Sequence, residues 1–158
     1  MDDARIEVIV DQEMRSLGFY DIKKEQKEAI MAFVSGRDVF VALPTGYGKS
    51  VIYGSLPRVF DSFQAVKDPP SIVVVVSPLK ALMSDQCRSF TELGMTAACA
   101  GDRSIPWDSF LAGKVQIVSI SPESLTRGKQ WREILKSPTY QEHLVGLIVD
   151  EAHLIRNW

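Results

Sequence analysis

Apolar side chains recur along this chain with two periods, and the switches between them mark out the elements. From Asp3 to Leu17 the residues Ile6, Ile9, Val10, Met14 and Leu17 return every three or four positions, which predicts a helix opened by the Asp2–Asp3 pair and ended by Gly18. Phe19 to Ile22 reads as a connector. Lys24 to Val34 predicts a second helix, with Gln26, Ala29, Ile30, Phe33 and Val34 on one face and Gly36 closing it. Val39-Phe40-Val41-Ala42-Leu43 is a continuous apolar run and reads as a short buried strand. A helix is expected from about Val51, kinked or ended by Pro57. Residues 61–71 carry Pro69-Pro70 and mixed charge and read as a surface loop.

The strongest strand is Ile72-Val73-Val74-Val75-Val76, β-branched on both faces, the pattern of a strand in the middle of a parallel sheet covered by helices. A helix from about Lys80 to Leu93 follows, ended by Gly94. Then come a weak strand over Met95–Ala100, a loop, a short helix over Trp107–Ala112 and a strand at Val115–Ser119. A helical turn at Pro122–Leu125, a helix at Lys129–Lys136 and a last buried strand at Leu144–Val149, ending at Asp150, complete the series. Trp107 and Trp131 read as packing residues and His143 as a surface residue. Strands alternating with helices predict a right-handed, mostly parallel α/β sheet with helices on both faces. Ligands of such a sheet sit at the carboxyl ends of its strands.

Composition adds limits rather than a function. The 158 residues suffice for one domain with a core, and 46% apolar with 24% charged residues is ordinary for a globular protein. No apolar run approaches a membrane span, and the first residues have no basic flank and apolar core of a secretory signal, so an intracellular protein without membrane partners is expected. Cys87 and Cys99 sit in apolar-periodic segments and are expected reduced and packed. A net charge of −2 neither announces nor excludes nucleic acid, because backbone N–H groups and hydroxyls also hold phosphates.

Two stretches carry chemistry. Leu43-Pro44-Thr45-Gly46-Tyr47-Gly48-Lys49-Ser50 lies between the apolar run and a helix, the arrangement of a phosphate-binding loop, with Leu43 where the first glycine of the pattern usually stands. Gly46 and Gly48 let backbone N–H groups turn toward an anion, the helix start adds partial positive charge, Lys49 can reach the β- and γ-phosphates, and the Ser50 hydroxyl can ligate Mg²⁺. The plain alternative is a glycine turn with a surface lysine. Asp150-Glu151-Ala152-His153 follows the apolar strand Val145–Val149. With Lys49 and Ser50 in the same chain, Asp150 is expected to hold Mg²⁺ and Glu151 to orient or deprotonate the attacking water. The plain alternative is a solvated acid pair capping the next helix. A triphosphate and its magnesium are thus expected between Gly48-Lys49-Ser50 and Asp150-Glu151.

Together with Ser77-Pro78-Leu79 and Ser121-Pro122-Glu123, these motifs stand in an order that resembles a superfamily 2 helicase, more closely the RecQ-like DNA helicases, over nearly the whole chain. The resemblance implies a RecA-like P-loop NTPase fold, ATP and Mg²⁺ as cofactors, and DNA as partner, as single strand or at a duplex junction. It also implies a division into residues 1–36, carrying an adenine-reading motif, and residues 37–158, the ATP-binding domain. Leu17 to Gln26 looks like that motif. Phe19 would lie against adenine, Gln26 would hydrogen-bond its edge, and Lys23 stands where the family usually has arginine. The residues facing ATP would then be Phe19, Lys23, Gln26, Thr45, Gly46, Tyr47, Gly48, Lys49 and Ser50. Ser77, Pro78, Leu79 and Gln86 are similar to a first DNA-contact motif, and Ser121 and Pro122 to a second. By the same likeness His153 links the metal site to the nucleic-acid side, and Trp158 keeps a tryptophan position of a coupling loop.

The family closes two motor domains over ATP, and an arginine from the second is worth ~10³–10⁵ in rate. This chain alone is therefore expected to bind nucleotide, hydrolyse it very slowly and unwind nothing, as a piece of a longer helicase or a truncated product. Nuclear localisation is implied for a eukaryotic source, cytoplasm or nucleoid otherwise. Two other readings stand beside it: a DEAD-box-type RNA helicase domain, and a non-catalytic ATP- or nucleic-acid-binding remnant. Ile22-Lys23-Lys24 and Ser77 to Leu82 depart from the RNA-helicase pattern.

Overall fold

The computed structural model describes residues 2–44, 48–64 and 68–157. The chain forms two compact units, Met1–Val66 and Lys67–Trp158.

The first unit is helical. Helix α1 (Asp3–Ser16) is capped by Asp2, whose carboxylate accepts the Ala4 N–H at 3.2 Å. Helix α2 (Lys24–Val34) and helix α3 (Lys49–Ser62) pack with it. Ile6, Val10 and Met14 of α1, Ala29 and Ile30 of α2, and Ile52, Tyr53, Leu56 and Val59 of α3 are buried. Phe33 meets Phe60 edge to face at 6.2 Å. Lys27 of α2 reaches Glu7 at 2.8 Å and Asp11 at 3.0 Å on α1.

The structure decides between two alternatives at Pro57 and overturns one expectation in this unit. Pro57 does not end the helix: α3 runs through it to Ser62, and Pro57 is buried. A proline inside a helix costs ~3 kcal/mol, and the burial of Leu56 and Val59 on the same helix offsets it, at ~1.5–3 kcal/mol for each large apolar side chain. Residues 39–43 do not form a strand. They alternate, with Val39, Val41 and Leu43 half-buried and Phe40 and Ala42 exposed, but no ladder among the described residues pairs with them. An apolar run supplies the faces of a strand, not the neighbours its backbone needs.

The second unit is a four-stranded, all-parallel sheet of order β2-β3-β1-β4. Its strands are β1 (Ile72–Val76), β2 (Ala97–Cys99), β3 (Ile117–Ile120) and β4 (Leu144–Val149). Helix α4 (Lys80–Glu92) joins β1 to β2, and α5 (Trp107–Leu111) precedes β3. Helices α6 (Pro122–Arg127), α7 (Lys129–Lys136) and α8 (Pro138–His143) lead to β4, and a 3-10 helix spans Ala152–Asn157.

Both faces of this sheet carry helices. Ile72, Val74, Val76, Val118 and Ile120 point to one side, where Phe110, Trp131, Ile134 and Tyr140 cover them. Trp131 stands edge to face with Trp107 and with Phe110, each at 5.2 Å, so both tryptophans are packing residues, as expected. Ser119 faces the other side, where it meets Cys87 of α4. β1 is paired on both flanks and wholly buried, while β4, at the edge, leaves Leu147 and Val149 exposed.

Helix α8 is not anticipated, and His143 is buried rather than on the surface. The two findings have one cause. Ser137 accepts the Tyr140 N–H and Pro138 takes the first helical position, which starts a helix. Tyr140 and His143, three apart, then share its inner face.

Candidate functional site

The site residues fall in both units, and each group is built locally. In the first unit the key is the head of α3. Gly48 is its N-cap at φ +84°, a left-handed conformation, and a Cβ there would lie 2.6 Å from Gln26 Nε2. Lys49 and Ser50 are the first two residues of the helix, where N–H groups lack carbonyl partners one turn back. Thr45, Gly46 and Tyr47 lie outside the described residues.

Gln26 is buried and ties two backbones together. Its Oε1 accepts the Lys23 N–H at 2.9 Å, closing the start of α2, and its Nε2 donates to the Gly48 carbonyl at 3.0 Å. A side-chain amide both donates and accepts, which lets one residue hold the two segments at once. Phe19, Lys23, Gln26 and Gly48 line one cavity of about 410 Å³. The fold thus gathers the expected adenine-reading residues and the end of the phosphate loop around one space, of a size that suits small ligands. Tyr20, Asp21 and Ile22 also line it and were not singled out from the sequence, although they stand between Phe19 and Lys23.

In the second unit the key is the carboxyl edge of the sheet. Val76 is level with Ile120 on one side and Val149 on the other. The next residues, Ser77, Ser121 and Asp150, therefore emerge in one row. Backbone bonds fix the row: Ser77 N donates to the Ile120 carbonyl and Asp150 N to the Val76 carbonyl, both at 2.9 Å. The row holds both expected DNA-contact serines and the first acid of the pair.

Details differ from the sequence reading. The Ser77 N–H is committed to Ile120, so it is not offered to a phosphate, and the N-cap of α4 is Leu79. Ser77 is buried, whereas Leu79 is exposed. Ser121 is itself an N-cap: it accepts the Ser124 N–H at 3.2 Å and donates to Ser124 Oγ at 2.9 Å, with Pro122 buried behind it. Gln86, half-buried on α4, keeps its Oε1 buried with no hydrogen-bond partner among the described residues. A cavity of about 530 Å³ opens beside Ser121, lined by Lys80, Ser84 and Arg88 of α4, which recur every four residues on one helix face. That spacing is legible in the sequence, but it belongs to no motif.

Glu151 has φ +53°, in the left-handed region that costs a side-chain-bearing residue ~1–2 kcal/mol. Its N–H donates to Asp150 Oδ1 at 2.9 Å, and its Oε2 lies 3.3 Å from Nε2 of the exposed His153. The turn thus holds two carboxylates and an imidazole within four residues of the strand end, with strain of the kind that gathers at functional sites. Trp158 lies outside the described residues.

An all-parallel α/β sheet flanked by helices, with a glycine-capped helix following a phosphate-loop sequence and an acidic turn at the sheet's carboxyl edge, defines a RecA-like P-loop domain. The profile of the DEAD/DEAH box helicases matches residues 23–158, and the chain belongs to that family. It is 33% identical over 142 residues to the ATP-dependent helicase SGS1 of Saccharomyces cerevisiae, covering 86% of this chain and 10% of that protein. It is 34% identical over 146 residues to the ATP-dependent DNA helicase hus2/rqh1 of Schizosaccharomyces pombe, covering 86% and 10%. It is 31% identical over 156 residues to the ATP-dependent DNA helicase RecQ of a Synechocystis strain, covering 94% and 30%. The resemblance to RecQ-like helicases read from the motifs is thereby borne out. The chain spans between about a tenth and a third of the length of these relatives. No described helix is long and apolar enough to cross a membrane.

Proposed function

We propose that this chain is the ATP-binding motor domain of an ATP-dependent 3′-to-5′ DNA helicase, acting in recombination and repair when joined to a second motor domain. The observation that carries the reading is the cavity shared by Phe19, Lys23, Gln26 and Gly48 at the head of α3, in a chain whose relatives are named as ATP-dependent helicases.

Each residue has a physical role. Phe19 offers a ring face to a base, and the Gln26 amide, which can both donate and accept, suits an adenine edge. Lys23 adds a cation on the same wall. Lys49 and the α3 N-terminus, with Thr45, Gly46 and Tyr47 before it, hold the phosphates. The Ser50 hydroxyl and the Asp150 carboxylate are hard oxygen donors, the set that Mg²⁺ takes, and the ion supplies charge neutralisation between the phosphates. Glu151 is the base that orients water, and His153, 3.3 Å from its carboxylate, links the metal site to the nucleic-acid side. Ser77 and Ser121 on the strand-end row, with Pro78, Leu79, Pro122, Gln86 of α4 and Trp158, contact the DNA. Residues 1–36 read the base and 37–158 form the ATP-binding domain. A nuclear site of action follows for a eukaryotic source.

The test is nucleotide binding by the chain as it stands, read with a fluorescent ATP analogue and Mg²⁺. Charge-assisted hydrogen bonds are worth ~1.5–3 kcal/mol, so Lys49→Ala is expected to weaken binding by roughly tenfold to a hundredfold. Equal affinity in the variant refutes the assignment of Lys49. In the longer protein, stimulation of ATP hydrolysis by DNA but not RNA is expected. The reverse favours an RNA helicase, and no hydrolysis with either favours a remnant.

A further inference from the structure

We propose that Cys87 and Cys99 form a redox dithiol that closes reversibly to a disulfide between α4 and β2, with a peroxide as oxidant. The proposal does not depend on the nucleotide reading. It begins with geometry. The two sulfurs lie 3.6 Å apart, on a helix and on the strand it leads into. A disulfide needs ~2.05 Å, so closure requires the sulfurs to move about 1.5 Å closer. These are the only cysteines in the chain, so within it each has one possible partner.

Access is unequal, which sets the order of events. Both sulfurs border the cavity of about 530 Å³ beside Ser121. Cys99 is half-buried and Cys87 is buried. The surroundings divide the proton the same way. The hydrogen bond shared with Cys87, opposed by desolvation and the Asp102 charge and helped by Ser84, brings the Cys99 thiol down to about 7. Cys87, the other partner of that bond and the more enclosed, is pushed well above the ordinary thiol range. Ser119 Oγ, 3.5 Å from the Cys87 sulfur, holds it from the sheet side. Lys80 and Arg88 also line the cavity.

The reaction balances. The Cys99 thiol releases its proton to solvent and the thiolate attacks one oxygen of hydrogen peroxide; the S–O bond forms, the O–O bond breaks, and the departing hydroxide takes up that released proton to become water. Cys87 sulfur then attacks the Cys99 sulfenic sulfur; the S–S bond forms, the S–O bond breaks, and the oxygen leaves as water with the Cys87 proton. Two thiols lose two electrons and one peroxide becomes two waters.

The experiment exposes the native chain to hydrogen peroxide, quenches with N-ethylmaleimide and reads the intact mass and peptide map without reductant. Expected are the loss of two hydrogens, no maleimide added, and one peptide joining residues 87 and 99, all reversed by dithiothreitol. Cys87→Ser is expected to stop at a sulfenic acid on Cys99 that dimedone traps, and Cys99→Ser to react roughly tenfold or more slowly. Phenylarsine oxide, which needs two neighbouring thiols, binds the native wild-type chain one to one. That measurement decides the matter even if a variant fails to fold. The proposal is overturned if the wild-type chain yields sulfinic acid on Cys99 with Cys87 free. It is equally overturned if the disulfides join two chains, or if closure occurs only in urea.

Discussion

Val39–Leu43 and Ile72–Val76 are both five apolar residues in a row, yet only the second is a strand. Every residue of β1 is buried, its backbone paired with β3 on one side and β4 on the other. In the first run Phe40 is 84% exposed and no described strand lies alongside. The difference teaches that apolar patterning selects the faces of a segment, while the state of its backbone is decided by distant residues. β1 finds its partners dozens of positions later, at Ile117–Ile120 and Leu144–Val149.

The sharpest way to break this contrast is a buried charge in each run. Val74→Asp in β1 is expected to destabilise by more than ~4 kcal/mol, because a carboxylate would replace a methyl group in a dry core. Phe40→Asp is expected to change stability by no more than about 0.5 kcal/mol, as exposed substitutions do. Urea midpoints of the two variants check this; equal losses would mean that 39–43 is a buried strand after all. A smaller effect is expected where the first run leads into α3. Gly48→Ala forces a Cβ into left-handed backbone and against Gln26, for a loss of ~2 kcal/mol or more. Gly36→Ala, at φ +89° with open space around it, is expected to lose only ~1 kcal/mol. The gap between the two in thermal melts measures the Gln26 contact.

The smallest effect is in pH. The Lys27 pKa is raised, first by its bond to Glu7 and against desolvation, with Asp11 also raising it. A raised cationic pKa gives stability that is fully present below 10.5, the ordinary lysine value, and is lost as pH climbs through the folded value above it. Urea midpoints are expected to fall there, and less so in Lys27→Met.

Most of the framework was legible because it is local. The boundaries of α2, α7 and β4 follow from glycine stops, helical period and β-branched runs, and the structure reproduces them. What escaped needed three dimensions. Pro57 sits inside α3 because of the core it joins. His143 is buried because Tyr140 commits the inner face of a helix too short to show a period. Gln26 reads from the sequence as a group for a base, and only the fold reveals that it also ties Lys23 to Gly48. No local pattern gives the left-handed Glu151, nor the meeting of Cys87 with Cys99, which the sequence describes only as reduced and packed.

The strand order β2-β3-β1-β4 has a consequence for biosynthesis. The centre of the sheet is the first of its strands to leave the ribosome, and its two neighbours are made much later. At ~5–20 residues per second, the five aliphatic side chains of Ile72–Val76 wait seconds for β3 and longer for β4. A holdase chaperone riding the nascent polypeptide therefore has its most valuable client segment there, until β4 pairs with it.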